Sequence, residues 1–268
     1  MKIAGIQFSC SDDKGKNIEK ACRMMDMAVE QGAKVVAFQE LFNLRWFPGT
    51  RDESAFDLAE EMGGPTVTRM KKKTKECDAV VVLPFFEKEG MSFYNSCAVI
   101  DADGKVAGLY RKVHVPDIPL WEEKFFFSAG NLGFPVFETR YGRIAVQISW
   151  DNLFPEVSRI HALKGADILF APTACAFKSQ HIWQTVITGN AIANGLFAMR
   201  INRVGSEKNL DFYGMSFCTN PEGEIISGPT GRNDAILLAD ADVDRLAEIR
   251  REWPIMKERR PDLYQEIL

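Results

Sequence analysis

A chain of 268 residues with 46% hydrophobic and 26% charged side chains can bury a sizeable core, which excludes a disordered or low-complexity class. Its formal net charge of -4 supplies no general attraction to nucleic acid or anionic lipid, and no apolar run approaches the length of a membrane span. The six cysteines (10, 22, 77, 97, 175 and 218) are scattered, and His114, His161 and His181 never stand at helix-face ligand spacing, so the expectation is buried thiols in a reducing cytoplasm and no metal site.

Residues 2–9 alternate in polarity and predict a first strand; with Asp12 and Asp13 soon after, they do not read as a secretory leader. Residues 17–31 predict an amphipathic helix with Ile18, Ala21, Cys22, Met25 and Ala28 on one face and Gly32 as its stop. A short apolar strand over 34–38 then runs into Gln39-Glu40-Leu41-Phe42 and a loop holding Trp46, Phe47, Pro48 and Gly49. Glu40 thus stands at the carboxyl end of a strand, where α/β sheets carry chemistry, although a solvated strand-end carboxylate is the plainer reading. Pro65 opens a helix over 65–76, and 79–85 is a strand too apolar to be exposed.

From Tyr94 the pattern changes to strands joined by tight turns, 95–101 and 105–113 about an Asp103-Gly104 turn, which argues for a mixed sheet. Lys112 ends the second of these strands. It reads first as a solvated charge, while alternation would set Lys112 on one face with Tyr110 and His114 and allow it to point inward. Residues 116–131 form a long loop dense in aromatics and carboxylates, including Trp121, Glu122, Glu123 and Lys124, and loops of this length tend to be functional.

Residues 141–156 read as a buried strand, a sharp turn at Ser149 and a helix that begins near Pro155. A small nucleophile-type side chain is placed close to a helix start, where donors favour negative charge; a hydroxyl that merely caps the turn is the alternative. The remaining elements predicted are helices over 156–164, 180–194 and 243–251 and strands over 168–171, 196–201, 211–219, 224–228 and 235–241. Residues 253–268 lack a core of their own and are expected to pack on the rest of the chain or on a second subunit. No internal repeat or linker is visible, so one domain over 1–268 is expected.

Taken together, three of these stretches resemble the nitrilase superfamily of carbon–nitrogen hydrolases, over nearly the whole chain. Its glutamate motif matches Phe38-Gln39-Glu40-Leu41-Phe42, its lysine motif Tyr110-Arg111-Lys112-Val113-His114-Val115-Pro116-Asp117, and its cysteine motif Ile148-Ser149-Trp150-Asp151-Asn152-Leu153-Phe154-Pro155-Glu156, with Ser149 at the cysteine's own position. A further family glutamate matches Glu123, and residues 202–205 and 212–217 also resemble the family. The resemblance implies an α/β fold, each subunit an α-β-β-α sandwich with mixed β-sheets, assembled as a homodimer or higher homo-oligomer. It implies that a thiolate attacks an amide or carbamoyl carbon, that Glu40 moves the proton, that Lys112 steadies the oxyanion and that Glu123 orients Lys112. No metal or organic cofactor is required, and the only partner is a small-molecule substrate.

Ser149 departs from the family. A hydroxyl needs a far stronger base than a thiol, so this form is expected to be inactive or nearly so, and an introduced cysteine-to-serine change is favoured over a natural pseudoenzyme. The wording of the lysine and Glu123 motifs most resembles N-carbamoylputrescine amidases and their close relatives. Asn152 and Leu153 replace the arginine of carbamoyl-amino-acid hydrolases, and Lys178 replaces an acidic residue usual in the putrescine branch, which leaves a linear amide or N-carbamoyl compound as substrate. Nitrile hydrolysis and a non-catalytic binding role are the alternatives. Trp46, Trp121, Trp150, Phe177 and Lys178 are the expected pocket residues, and Cys175 is expected to be a pocket or core residue.

Overall fold

The computed structural model describes residues 1–176 and 179–267. Apolar alternation becomes strand and amphipathic periodicity becomes helix through the first half: β1 (Lys2–Gln7), α1 (Lys14–Glu30), β2 (Val35–Phe38), α2 (Pro65–Cys77), β3 (Val80–Glu89), β4 (Ser92–Ile100), β5 (Val106–Arg111) and a single turn, α3 (Glu123–Phe126). The second half comprises β6 (Val136–Thr139), β7 (Gly142–Val146), α4 (Pro155–Leu163), β8 (Ile168–Pro172), α5 (Gln180–Asn194), β9 (Phe197–Ile201), β10 (Val204–Glu207), β11 (Leu210–Tyr213), β12 (Phe217–Thr219), β13 (Ile225–Ser227), β14 (Ala235–Asp240) and α6 (Leu246–Glu252).

Several boundaries differ from the sequence reading for identifiable reasons. Helix α1 starts at Lys14 because the Asp13 side chain caps it, accepting from the Lys16 N–H at 3.0 Å. β3 extends to Glu89 and folds back on β4 about Gly90, whose φ is +58°. The single strand expected over 211–219 is two strands in different sheets, broken where Gly214 and Met215 both take positive φ. β6 and β10 lie outside the predicted strands, being only four residues each with two and one apolar side chains.

Two six-stranded mixed sheets result, ordered β14-β1-β2-β3-β4-β5 and β13-β12-β9-β8-β7-β6. Each repeats one plan: three parallel strands, two antiparallel strands beyond the third, and one antiparallel strand beside the first. The sheets face one another over a core that includes Ile3, Val35, Val82 and Tyr110 from one and Ile144, Val146, Phe170 and Met199 from the other. The outer face of the first sheet buries Ile18, Ala21, Met25, Val67 and Met70 of α1 and α2, and that of the second buries Trp183, Ile187 and Ala191 of α5. This is the α-β-β-α sandwich. Helix α6 is tied to the second layer by Arg250, which donates to the carbonyls of Gly195 and Ala166 at 3.0 and 2.7 Å. Beyond it Met256 touches Arg159 of α4, so the C-terminal segment does pack on the chain, although Trp253 stays 71% exposed. No described helix is long and apolar enough to cross a membrane.

The close approach of the sheets depends on Gly108 of β5, where an added Cβ would lie 2.5 Å from the Phe137 ring of β6. Gly108→Ala is expected to lower stability by about 1–3 kcal/mol through overpacking, read as a lower urea midpoint with an unchanged m-value.

Candidate active site

The carboxyl ends of the strands open at one end of the sandwich onto an aromatic cluster containing Trp46, Phe86, Trp121, Phe126, Phe127 and Phe212. Three charged side chains meet there, all buried. Lys112, the first residue after β5, continues the strand pairing through its N–H to the Asn95 carbonyl at 2.8 Å, and this turns its side chain inward. Its Nζ donates to Glu40 Oε1 at 3.0 Å and to Glu123 Oε2 at 2.6 Å. Glu40 follows β2, and its Oε1 also accepts from Asn95 Nδ2 at 2.7 Å. Among the described residues, Glu40 Oε2 and Glu123 Oε1 have no hydrogen-bond partner, so each carboxylate keeps one oxygen available there.

Burial alone would depress the Lys112 pKa, but the two carboxylates more than offset it and hold the ammonium charged well above its ordinary range. Two carboxylates against one cation leave a surplus negative charge in a dry site. Burial, with Glu40 adding to it and Lys112 opposing it, pushes Glu123 up to about 7.

Ser149 is buried and has φ +47°, a left-handed conformation unusual for a side-chain-bearing residue, at the corner after β7. It opens a 3-10 turn, Ser149–Leu153, and α4 starts only at Pro155, so the corner is not itself an α-helix start. Asp151 holds this elbow. Its Oδ2 accepts the Ile148 N–H at 3.0 Å and the Tyr110 hydroxyl at 2.7 Å, while its Oδ1 accepts the His114 N–H at 3.0 Å and lies 2.9 Å from His114 Nδ1. Because Tyr110 and His114 flank Lys112, this carboxylate ties the elbow to the lysine segment. Asn152 steadies it further, donating to the Ser149 carbonyl at 2.9 Å.

The loop after Glu40 is clamped from the opposite sheet. Arg203, following β9, donates to the carbonyls of Glu40, Leu41 and Leu44 at 3.0, 2.9 and 2.8 Å and is paired with Glu207 at 2.8 Å. Asp151 and Arg203 lie within the matched motifs, over 148–156 and 202–205, without a role that the sequence assigns, and no motif contains Asn95. Their acceptors are backbone groups and side chains of distant segments, which periodicity does not reveal.

The expected pocket residues separate. Trp46 and Trp121 lie buried with ring centroids 5.8 Å apart, each donating its indole N–H to a carbonyl, of Leu120 and Ala174 respectively, at 3.0 Å. Trp150 is half-buried and lines a depression with His114, Phe127 and Phe154. Phe177 and Lys178 lie outside the described residues. Cys175 is buried against Trp183 of α5.

Two outcomes follow from the charges. Tyr110→Phe removes one donor from a buried carboxylate and should cost about 1–3 kcal/mol, measured by chemical denaturation. The folded protein holds the Glu123 proton more tightly than the unfolded chain, whose carboxyl titrates near 4.5, so this stabilisation is present below 4.5 and lost as pH rises toward 7. Over that window the parent protein should lose on the order of 1–3 kcal/mol relative to Glu123→Gln in parallel urea titrations.

Known proteins share both sequence and architecture with this chain. N-carbamoylputrescine amidase of Solanum tuberosum is 39% identical over 282 residues, covering 99% of this chain and 94% of that protein. Citrullinase of Francisella tularensis is 38% identical over 280 residues, covering 100% and 98%. The crystal structure of a carbon-nitrogen hydrolase from Helicobacter pylori superposes with a TM-score of 0.96 at 32% identity, covering 100% of this chain and 98% of that one. A sequence model of the carbon-nitrogen hydrolase family matches residues 2–251, and with the nitrilase-type sandwich around a buried Glu40–Lys112–Glu123 cluster it places this chain in that family, within the nitrilase superfamily.

Proposed function

We propose that this chain is built to hydrolyse the C–N bond of a linear amide or N-carbamoyl amine by a Glu–Lys–Cys mechanism, and that with Ser149 in the nucleophile's position it is inactive or nearly so. The observation that carries the reading is Lys112, buried and bonded to Glu40 and Glu123, each of which keeps one oxygen unpartnered among the described residues. A purely structural ion cluster would be expected to satisfy those oxygens.

With cysteine at position 149, the thiol proton passes to Glu40 as sulfur bonds to the substrate carbonyl carbon. The charge that develops on the carbonyl oxygen is met by the Lys112 ammonium, which the carboxylates keep protonated. Glu40 then returns the proton to the departing nitrogen, the C–N bond breaks, and a water activated by Glu40 releases the acyl or carbamoyl group in the second half-reaction. Glu123 holds Lys112 in place throughout. Serine supports the same geometry with a nucleophile whose proton a carboxylate cannot readily take.

The substrates in the names of the two relatives, N-carbamoylputrescine and citrulline, both carry a carbamoyl group on nitrogen, which favours that class. They differ at the far end. Lys178, in place of the acidic residue usual in the putrescine branch, disfavours a free ammonium tail. Trp46, Trp121 and Trp150 are assigned to the walls around the substrate.

The test is ammonia release by Ser149→Cys with N-carbamoyl amines, linear amides and nitriles, together with single-turnover mass spectrometry. Turnover should rise by at least ~100-fold over the Ser149 form, with an acyl or carbamoyl adduct at residue 149. Adding Glu40→Gln should remove roughly 10²–10⁴-fold of the restored rate. Activity on nitriles alone would replace the substrate class; a folded Ser149→Cys protein with neither adduct nor turnover would establish a non-catalytic binding protein.

A further inference from the structure

Asn95 meets all three charges of the buried cluster and carries none itself. It sits on β4, paired with Phe86 of β3 on one side, and its carbonyl takes the Lys112 N–H at 2.8 Å on the other, so two flanking segments fix its backbone. Its side chain is buried, and Nδ2 donates to Glu40 Oε1 at 2.7 Å. Burial, the largest effect on the Glu123 carboxyl, raises its pKa, and Lys112 and the Asn95 amide oppose that rise, so the amide faces the second carboxylate as well.

Charge decides which way the amide points. Turned over, it would set Oδ1 against Glu40 Oε1, two acceptors with no proton between them. As placed, Oδ1 has no hydrogen-bond partner among the described residues. A buried asparagine with a purely structural task would be expected to satisfy both ends, whereas here the donor end reaches Glu40 and the acceptor end goes unpartnered.

Both donors to the Glu40 carboxylate fall on one oxygen. Oε1 accepts Asn95 Nδ2 and, at 3.0 Å, Lys112 Nζ, while Oε2 has no partner among the described residues. An oxygen that already accepts two N–H bonds, one of them from an ammonium, is the weaker proton acceptor of the pair. Lys112 alone could not impose this asymmetry, because a flexible ammonium can follow either oxygen as the carboxylate turns. The amide, fixed to β4, pins Oε1. Its neutrality matters too: with two carboxylates against one cation, an acid at position 95 would deepen the surplus negative charge and a base would cancel it. An amide donates and leaves the charge as it is.

We propose that Asn95 is a positioning residue for the Glu–Lys–Cys reaction: it pins Glu40 Oε1, so that Oε2 is the oxygen that takes the nucleophile's proton and returns it to the departing nitrogen. This role rests on the proposed hydrolysis and adds to it the oxygen of Glu40 that moves the proton. Without the amide, Glu40 is held by Lys112 alone and the base turns out of place, while the lysine and the nucleophile stay where they are.

The test is steady-state kinetics of Ser149→Cys on an N-carbamoyl amine or linear amide, alone and with Asn95→Leu, which is close to the amide in size and lacks its N–H groups. The added change should lower kcat by about 10²-fold and alter KM by less than about threefold, since what is lost is the placement of a base. In Ser149→Cys with Glu40→Gln, Asn95→Leu should alter the single-turnover rate of adduct formation, followed by mass spectrometry, by less than about threefold, because no base is left to position. A general loosening of the fold would lower both rates alike. Given turnover in Ser149→Cys, a kcat that Asn95→Leu leaves within about threefold, a loss confined to KM, or an equal loss in the Glu40→Gln background overturns the role of Asn95 alone. No turnover in Ser149→Cys overturns the hydrolysis, and the role of Asn95 with it. Should Asn95→Leu fail to fold, Asn95→Ser, whose hydroxyl stops short of the amide nitrogen's place, carries the same expectations.

Discussion

A buried ammonium bonded to two buried carboxylates is the constraint on which the active end of this molecule depends. Removing such charges from water costs several kcal/mol each, and the attraction among them offsets that cost only when the geometry is held closely. Lys112, Glu40 and Glu123 come from the ends of β5 and β2 and from the turn α3, so the cluster exists only if three separate segments arrive together. Strand-to-strand hydrogen bonding sets the first two. Asn95, on the strand between β3 and β5, links them by its backbone to Lys112 and by its side chain to Glu40.

The second sheet supplies the Ser149 elbow and the clamps. Asp151 gathers donors from the elbow and from Tyr110 and His114, two residues to either side of Lys112, so the left-handed conformation of Ser149 is maintained by contacts rather than by local preference. Arg203 does the corresponding work for the Glu40 loop, where Leu41 also has positive φ. The repeated strand plan of the two sheets brings these two strained turns to the same end of the sandwich. Each sheet therefore holds a positive-φ turn that the other sheet braces.

Trp46 and Trp121 show how far loop position informs. Both stand near the Glu40 and Lys112 motifs in the sequence, and both end up in the aromatic cluster beside the buried charges, with their indole N–H groups bonded to carbonyls of distant loops. Proximity in sequence located the neighbourhood. It could not distinguish a ring facing substrate from one supporting it, because that depends on which loops cross above.

Hydrophobic period and turn residues by themselves determined the helices α1, α2, α4 and α5, the strands of the sheet centres, and the motifs that name the family, because each is a local pattern of side chains. They also located Glu40, Lys112 and Ser149 at ends of elements, and Glu123 within a long loop. Only the tertiary structure decided that Lys112 points inward, that strand 211–219 divides between sheets, and that Asp151, Asn95 and Arg203 are the braces. Those outcomes rest on hydrogen bonds between residues far apart along the chain. Their partners are fixed by how two sheets face each other, which no local pattern specifies.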